Sequence, residues 1–263
     1  MNKTSISLIF IISLAGNFCF CQHQMSDDNN LERERIETYL RSAEVTSINK
    51  ELEAGRTEPW VIGLYDGKTE RKGFFKYLDR TRPSIFPDSY KYEIAAYEIN
   101  KLLDIKIVPP VVEREIEGIN GALQLFLENF IKESERKRRN LIPKNPVAFS
   151  NRLEEIGVFE ILVNCQRIDL DDILISSEDW EVFRVDFSQA FSTSSEMISG
   201  SEISRCSRKL YHNLHKLEYS NVESRLKSYL TDQQIKALLK RKNVILENIN
   251  QLIKIKGEEA ILF

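Results

Sequence analysis

Between residues 158 and 191 the chain reads VFEILVNCQRIDLDDILISSEDWEVFRVDFSQAF. An apolar run leads into Gln166, Arg167, Asp169, Asp171 and Asp172, and a second apolar run ends in Asp186. Carboxylates are costly to bury unless they are paired or ligate a cation. The spacing therefore suits oxygen ligation of a hard divalent ion, or else a loop on which Asp169, Asp171 and Asp172 face water while Asp186 caps a turn. Lys76 lies inside the apolar stretch GFFKYL, where a lysine either snorkels its ammonium to the surface or meets an anion. The three histidines offer less, since His23 stands apart and His212 and His215, at i and i+3, have no third ligand in view and read as one helix face.

The elements that must position these side chains can be read from periodicity. WVIGLYDGKTERKGFFKYL is two apolar strands around Asp66-Gly67, a pair that tolerates positive φ and favours a hairpin. In DSYKYEIAAYEINKLLDI, Ala95, Ile99, Leu102 and Leu103 recur at helical spacing behind Asp88 or Ser89 as the cap, which puts Glu93 in the first turns. KIVPPVVEREIEGINGALQLFLEN reads as a strand with Pro109-Pro110 at an edge, a loop flanked by Gly118 and Gly121, and a strand alternating Leu123, Leu125 and Leu127 with Gln124 and Glu128. The basic run Arg136 to Arg139, bounded by Pro143 and Pro146, reads as a solvated connector in preference to an anion-binding patch. Beyond it the pattern is mostly helical, ending in a segment that starts with the capping box Thr231 and Gln234 and carries Ile235, Leu238, Leu239, Ile245, Leu246 and Ile249 on one face.

With 263 residues, 42% of them hydrophobic, the chain can bury a sizeable core. A formal net charge of -3 gives no field of either sign that would single out nucleic acid as a partner. Residues 1–21 have the layout of a secretory signal peptide, with Lys3, an apolar run from Ile6 to Ala15, and Cys19 and Cys21 before Gln22. Phe18 and Phe20 disfavour a lipoprotein, and the run is shorter than the roughly 20 residues a membrane span needs. The expectation is an exported protein, periplasmic or secreted, with no transmembrane span once processed. Residues 22–58 are polar with one short helix around Ile36, Tyr39 and Leu40, and read as a flexible segment. Of the four cysteines, Cys165 and Cys206 remain in the processed chain, either bridged or separately buried.

A sheet lobe with an internal lysine, a helix carrying a glutamate, a connector, and a helical lobe with acids and a strand-bound aspartate follow the order of parts in protein kinases. The segments FFKY, YKYEIAAYEINKLLDIKIVPPVVEREIEGINGALQLFLE and FEILVNCQRIDLDDILI...VFRVDFSQAF resemble the atypical kinase-like group that includes phosphatidylinositol-kinase-type, HipA-like and secretory-pathway kinases. The likeness covers residues 60 to 191, with Glu-Ile-Ala-Ala-Tyr followed by Val-Pro-Pro as its most specific part. It implies an α+β, two-lobed protein-kinase-like fold: a small antiparallel sheet lobe with one helix over residues 59–129 and a mainly helical lobe over 130–263. It further implies that Lys76 holds the phosphates of ATP, that Glu93 fixes Lys76, that Gln124 to Glu128 reach the adenine, and that Asp186 binds Mg, or Mn, bridging those phosphates. In the catalytic loop Asn164 and Arg167 match, but the base position holds Gln166, which cannot accept a proton as a carboxylate does. Asp171 or Asp172 would stand at the second metal position, and Asp169 is a shifted candidate for the base. Three outcomes stay open: phosphotransfer to an unknown protein or small-molecule acceptor, nucleotide binding without catalysis, and an interaction module that uses no nucleotide.

Overall fold

The computed structural model describes residues 30–50, 58–80, 88–165, 169–198 and 201–263. The expected signal peptide lies outside the described residues. A helix over residues 30–42 (α1) leads into β1 (Glu44–Asn49), β2 (Trp60–Tyr65), β3 (Glu70–Lys76), β4 (Asp79–Arg80) and β5 (Asp88–Ser89). There follow α2 (Tyr90–Leu102), β6 (Val111–Ile116), β7 (Ile119–Leu125), β8 (Phe130–Lys132), α3 (Glu133–Arg138) and α4 (Pro146–Val163). The second half continues with β9 (Ile173–Ser176), β10 (Val182–Arg184), α5 (Arg208–Lys216), α6 (Tyr219–Leu226), α7 (Asp232–Lys256) and α8 (Glu258–Ile261). No helix among the described residues is long and apolar enough to cross a membrane.

Five strands form an antiparallel sheet in the order β1-β2-β3-β7-β6. Its register separates two faces, because side chains alternate along each strand. Trp60, Phe75, Leu123 and Val112 are successive partners across the sheet, and with Tyr39, Leu40 and Ala43 of α1 they form one apolar core. On the opposite face Lys76 pairs in register with Ala122, and Phe74 with Gln124. That face meets α2 and the helical lobe, whose larger core runs from Tyr90 to Leu262. The Asp66-Gly67 hairpin forms as expected: Gly67 sits at φ 92, and Asp66 accepts hydrogen bonds from the amides of Lys68 and Thr69.

Three expectations need correction. Residues 30–49 are not a flexible segment: α1 closes the outer face of the sheet and β1 is its edge strand. The segment's polarity misled because only Ile36, Tyr39, Leu40, Ala43, Val45 and Ile48 need face the core. Gly121 is not in a loop but inside β7, where any Cβ would lie 2.5 Å from the Lys76 carbonyl oxygen, so glycine permits the close approach of β3 and β7. The basic run belongs to α3 instead of a solvated connector: Arg136 bonds the buried Glu133 through Nε at 2.5 Å and stacks on Phe149. The second lobe is mainly helical as expected, and its strands form a three-stranded antiparallel sheet, β10-β9-β8.

Cys165 and Cys206 are both buried and not joined. Burial pushes the Cys206 thiol up to about 12, with the Glu155 carboxylate adding to it. Two arginines are fully buried. Arg184 bonds Glu160 at 2.6 Å, and Arg241 donates to the carbonyls of Leu162, Ser192 and Ser194, so that α7 is tied to the chain just after Asp186. Removing one partner of a buried ion pair strands the other in a low dielectric, at a cost of about 3 kcal/mol. Glu160→Ala should lower the unfolding free energy by about that amount in urea titrations, and an unchanged midpoint would show that the pair contributes nothing.

Candidate functional site

The site is assembled from three separate elements. β3 delivers Lys76 on the face away from α1. The N-terminus of α2 delivers Glu93, because the Ser89 side chain accepts from the Lys91 amide and starts the helix four residues earlier. The turn after β10 delivers Asp186, held at φ 67 in the left-handed region, which is uncommon for a residue other than glycine. Ser89 N–H bonds the Ser188 carbonyl at 2.9 Å, which fastens the start of α2 to that turn.

These three side chains meet. Lys76 Nζ lies 2.5 Å from Glu93 Oε1 and 2.8 Å from Asp186 Oδ1, and the Phe187 amide donates to Glu93 Oε2 at 3.1 Å. The Lys76 and Glu93 side chains are 14% and 3% exposed, so they meet largely away from water. Burial works against the Lys76 ammonium, but the carboxylates of Glu93 and Asp186 outweigh it and hold its pKa above the ordinary lysine value. The Lys76 charge holds Asp186 well below the usual carboxylate range, against the opposing effect of burial. Burial pushes Glu93 upward, partly offset by Lys76. Lys76 is thus a fixed cation and Asp186 a fixed anion at neutral pH.

The cluster lies in a cavity of about 530 Å³. Phe74, Leu125, Phe126, Leu174 and Val185 contribute apolar lining, and Lys76, Lys132, Asp171, Asp172 and Asp186 contribute charged lining. Gln124 lines the cavity from β7, as expected, but Glu128 does not: it is exposed and pairs with Lys72 at 3.1 Å. The acids differ in what they can do. Asp171 is held by Lys132 at 3.0 Å and by the Ser134 hydroxyl. Asp172 lies 3.5 Å from the Arg184 guanidinium. Asp169 accepts from the Asp171 amide at 3.0 Å and starts the short 3-10 turn Leu170–Asp172, so a local structural role accounts for it. Gln166 and Arg167 lie outside the described residues. Lys132 and Ser134 were missed in the sequence because neither has a periodic or motif signal; only the folding of β8 against β9 brings Lys132 to Asp171.

Among the described residues no group of three His, Cys, Asp or Glu side chains could hold a metal. Magnesium asks for less, since it is commonly bound by one or two carboxylates with phosphate and water oxygens completing the shell. Asp172 and Asp186 face one cavity and are of the right chemistry for such a shared site.

Among solved structures, hydra Fam20 with sugar matches 89% of this chain and 92% of its own, at TM-score 0.66 and 16% identity. The chain has an atypical protein-kinase-like fold. The Helicobacter pylori proinflammatory kinase CtkA matches 84% of this chain and 98% of its own, at TM-score 0.52 and 8% identity. No family model and no curated protein matches the sequence. Both neighbours are similar in fold over most of the chain.

Lys76→Met should leave Glu93 buried without its cation. A carboxyl whose folded pKa is raised contributes stability below its unfolded value, near 4.5 for Glu93, and loses it as pH rises through the folded pKa. The variant's deficit relative to the parent should therefore be larger at pH 7 than at pH 4.5 in paired thermal melts. A deficit that does not change with pH would mean that Glu93 carries no uncompensated charge.

Proposed function

We propose that the chain is an exported kinase-like protein that binds ATP with Mg or Mn in the cleft between its lobes. The observation that carries this reading is Lys76 bonded at once to Glu93 and Asp186 beside an apolar slot. A lysine so fixed is a cation aimed into a cavity, the element that phosphate oxygens need. Glu93 positions Lys76 and does not contact the ligand. Asp186, with Asp172, would hold the metal, which supplies charge neutralisation to bridging phosphate oxygens when bound. Phosphoryl transfer rests on positioning and electrostatics more than on covalent chemistry, so the parts in place account for nucleotide binding and alignment.

Transfer to an acceptor is the finer question. The acceptor would be an unidentified protein or small molecule. Gln166 stands where the resemblance places a carboxylate base, and an amide accepts no proton. Asp169, which accepts from the Asp171 amide, is the shifted candidate for that base. The amide at position 166 favours a second reading, a nucleotide-binding pseudokinase. Export rests on the composition of residues 1–21, and cleavage near Gln22 is the form in which N-terminal sequencing of the native protein would meet it; an intact Met1 in a cytoplasmic fraction would overturn it.

Binding to the native state alone raises stability by about 2.7 kcal/mol at a ligand concentration of 100 Kd. ATP with Mg²⁺ should therefore raise the melting temperature of the purified chain, and Asp186→Ala should remove the metal-dependent part of the rise. No shift at millimolar nucleotide with either metal would sink the nucleotide reading. Given binding, Gln166→Asp should create or raise phosphate transfer if the base is the missing part. Equal background transfer in parent and variant, with binding kept, would identify a pseudokinase.

A further inference from the structure

Among the polar side chains that line the cavity from the sheet is the amide of Gln124. It is the register partner of Phe74 in β3 and of Val111 in β6, and it stands on the same sheet face as Lys76, whose own partner is Ala122. Along β7 the two positions are two residues apart, about 7 Å at ~3.4 Å per residue. No hydrogen bond joins the Gln124 amide to any other described residue, although its side chain lines the cavity. Phe74, Leu125, Phe126, Leu174 and Val185 line the same cavity, Phe74 as the register partner of Gln124, and apolar lining of that composition accepts a flat heterocycle by burial of its faces.

We infer that Gln124 reads the edge of the nucleotide base and that it accepts both purines, so that the cleft takes guanosine as well as adenosine triphosphate. The inference rests on the nucleotide reading above. A phosphate chain fixed at Lys76 leaves the base against the apolar lining, within reach of Gln124, whose register position is two residues along β7 from the partner of Lys76. There adenine presents an exocyclic amino donor and guanine an exocyclic carbonyl acceptor. A glutamine amide carries both a carbonyl acceptor and an NH₂ donor, and a half-turn of the terminal torsion exchanges them. An aliphatic side chain at this position would pair with neither base. A carboxylate would accept from adenine and repel the guanine carbonyl. A pyrimidine ring, being smaller, would leave the amide without a partner at hydrogen-bond distance.

Titration calorimetry on the purified full chain, with Mg²⁺ and ATP, GTP or CTP, tests this. ATP and GTP should bind within about threefold of one another, with CTP weaker by about tenfold, the loss expected when a buried hydrogen-bonding group is left unpaired. Gln124→Glu should weaken GTP by about tenfold or more and ATP by less than threefold, while Gln124→Leu should weaken both purines alike. Melting temperatures of both variants without nucleotide establish that they fold. A parent chain that binds ATP and not GTP overturns the inference and leaves the nucleotide reading standing. So does a Gln124→Glu variant that loses both purines equally, or a Gln124→Leu variant that binds both as the parent does. A chain that binds none of the three triphosphates overturns both.

Discussion

A buried ammonium shared between two carboxylates organises this molecule. Lys76, Glu93 and Asp186 come from a strand, a helix and a turn that are remote in sequence, and each is costly to bury without the others. β3 must lie beside β7 closely enough to need Gly121, α2 must begin at Ser89 and not a turn later, and the chain after β10 must take a left-handed conformation at Asp186. Each requirement is local, yet a failure of any one leaves the remaining charges unpaired away from water. The larger apolar core reinforces that coupling, since it joins α2, β6 and β7 to the helical lobe, while the smaller one lies under α1.

The sequence disclosed those parts whose signal is local. Lys76 in its apolar strand, the Asp66-Gly67 hairpin, Ser89 ahead of an apolar helical face, and the Thr231–Gln234 capping box all follow from spacing, because their partners lie within a few residues. That Lys76, Glu93 and Asp186 converge came from resemblance, not from periodicity, since they are 17 and 110 residues apart. What escaped was nonlocal or sparse. Ile36, Tyr39 and Leu40 marked a short helix, but with β1 the segment offered too few apolar positions to show that it packs on the sheet, where Tyr39 and Leu40 are buried. Glu128 was placed with the cleft by the resemblance, but β7 ends at Leu125 and the Glu128 side chain pairs with Lys72 instead.

The acids that looked equivalent in the sequence are divided by their surroundings. Asp169 shapes a turn, Asp171 is tied to β8 and α3, Asp172 lies against a buried guanidinium, and Asp186 faces Lys76. Their difference in role arises from the cations that tertiary structure brings up, and no spacing rule within DLDD could have separated them. The buried arginines act in the same way at a larger scale: Arg184 and Arg241 hold the segments before and after Asp186 by bonds to Glu160 and to backbone carbonyls.

Glu37 on α1 accepts from the Tyr97 hydroxyl at 2.8 Å and from Lys101 at 3.1 Å, so the helix that carries Glu93 is braced by α1. Tyr97, which is itself fully buried, leaves that brace little freedom to rotate. A ligand arriving at the cleft thus meets α2 already seated, and no ordering of that helix is deducted from its affinity. Association would then be governed by diffusion into an open cleft, and differences in residence time, more than in capture, would separate good ligands from poor ones.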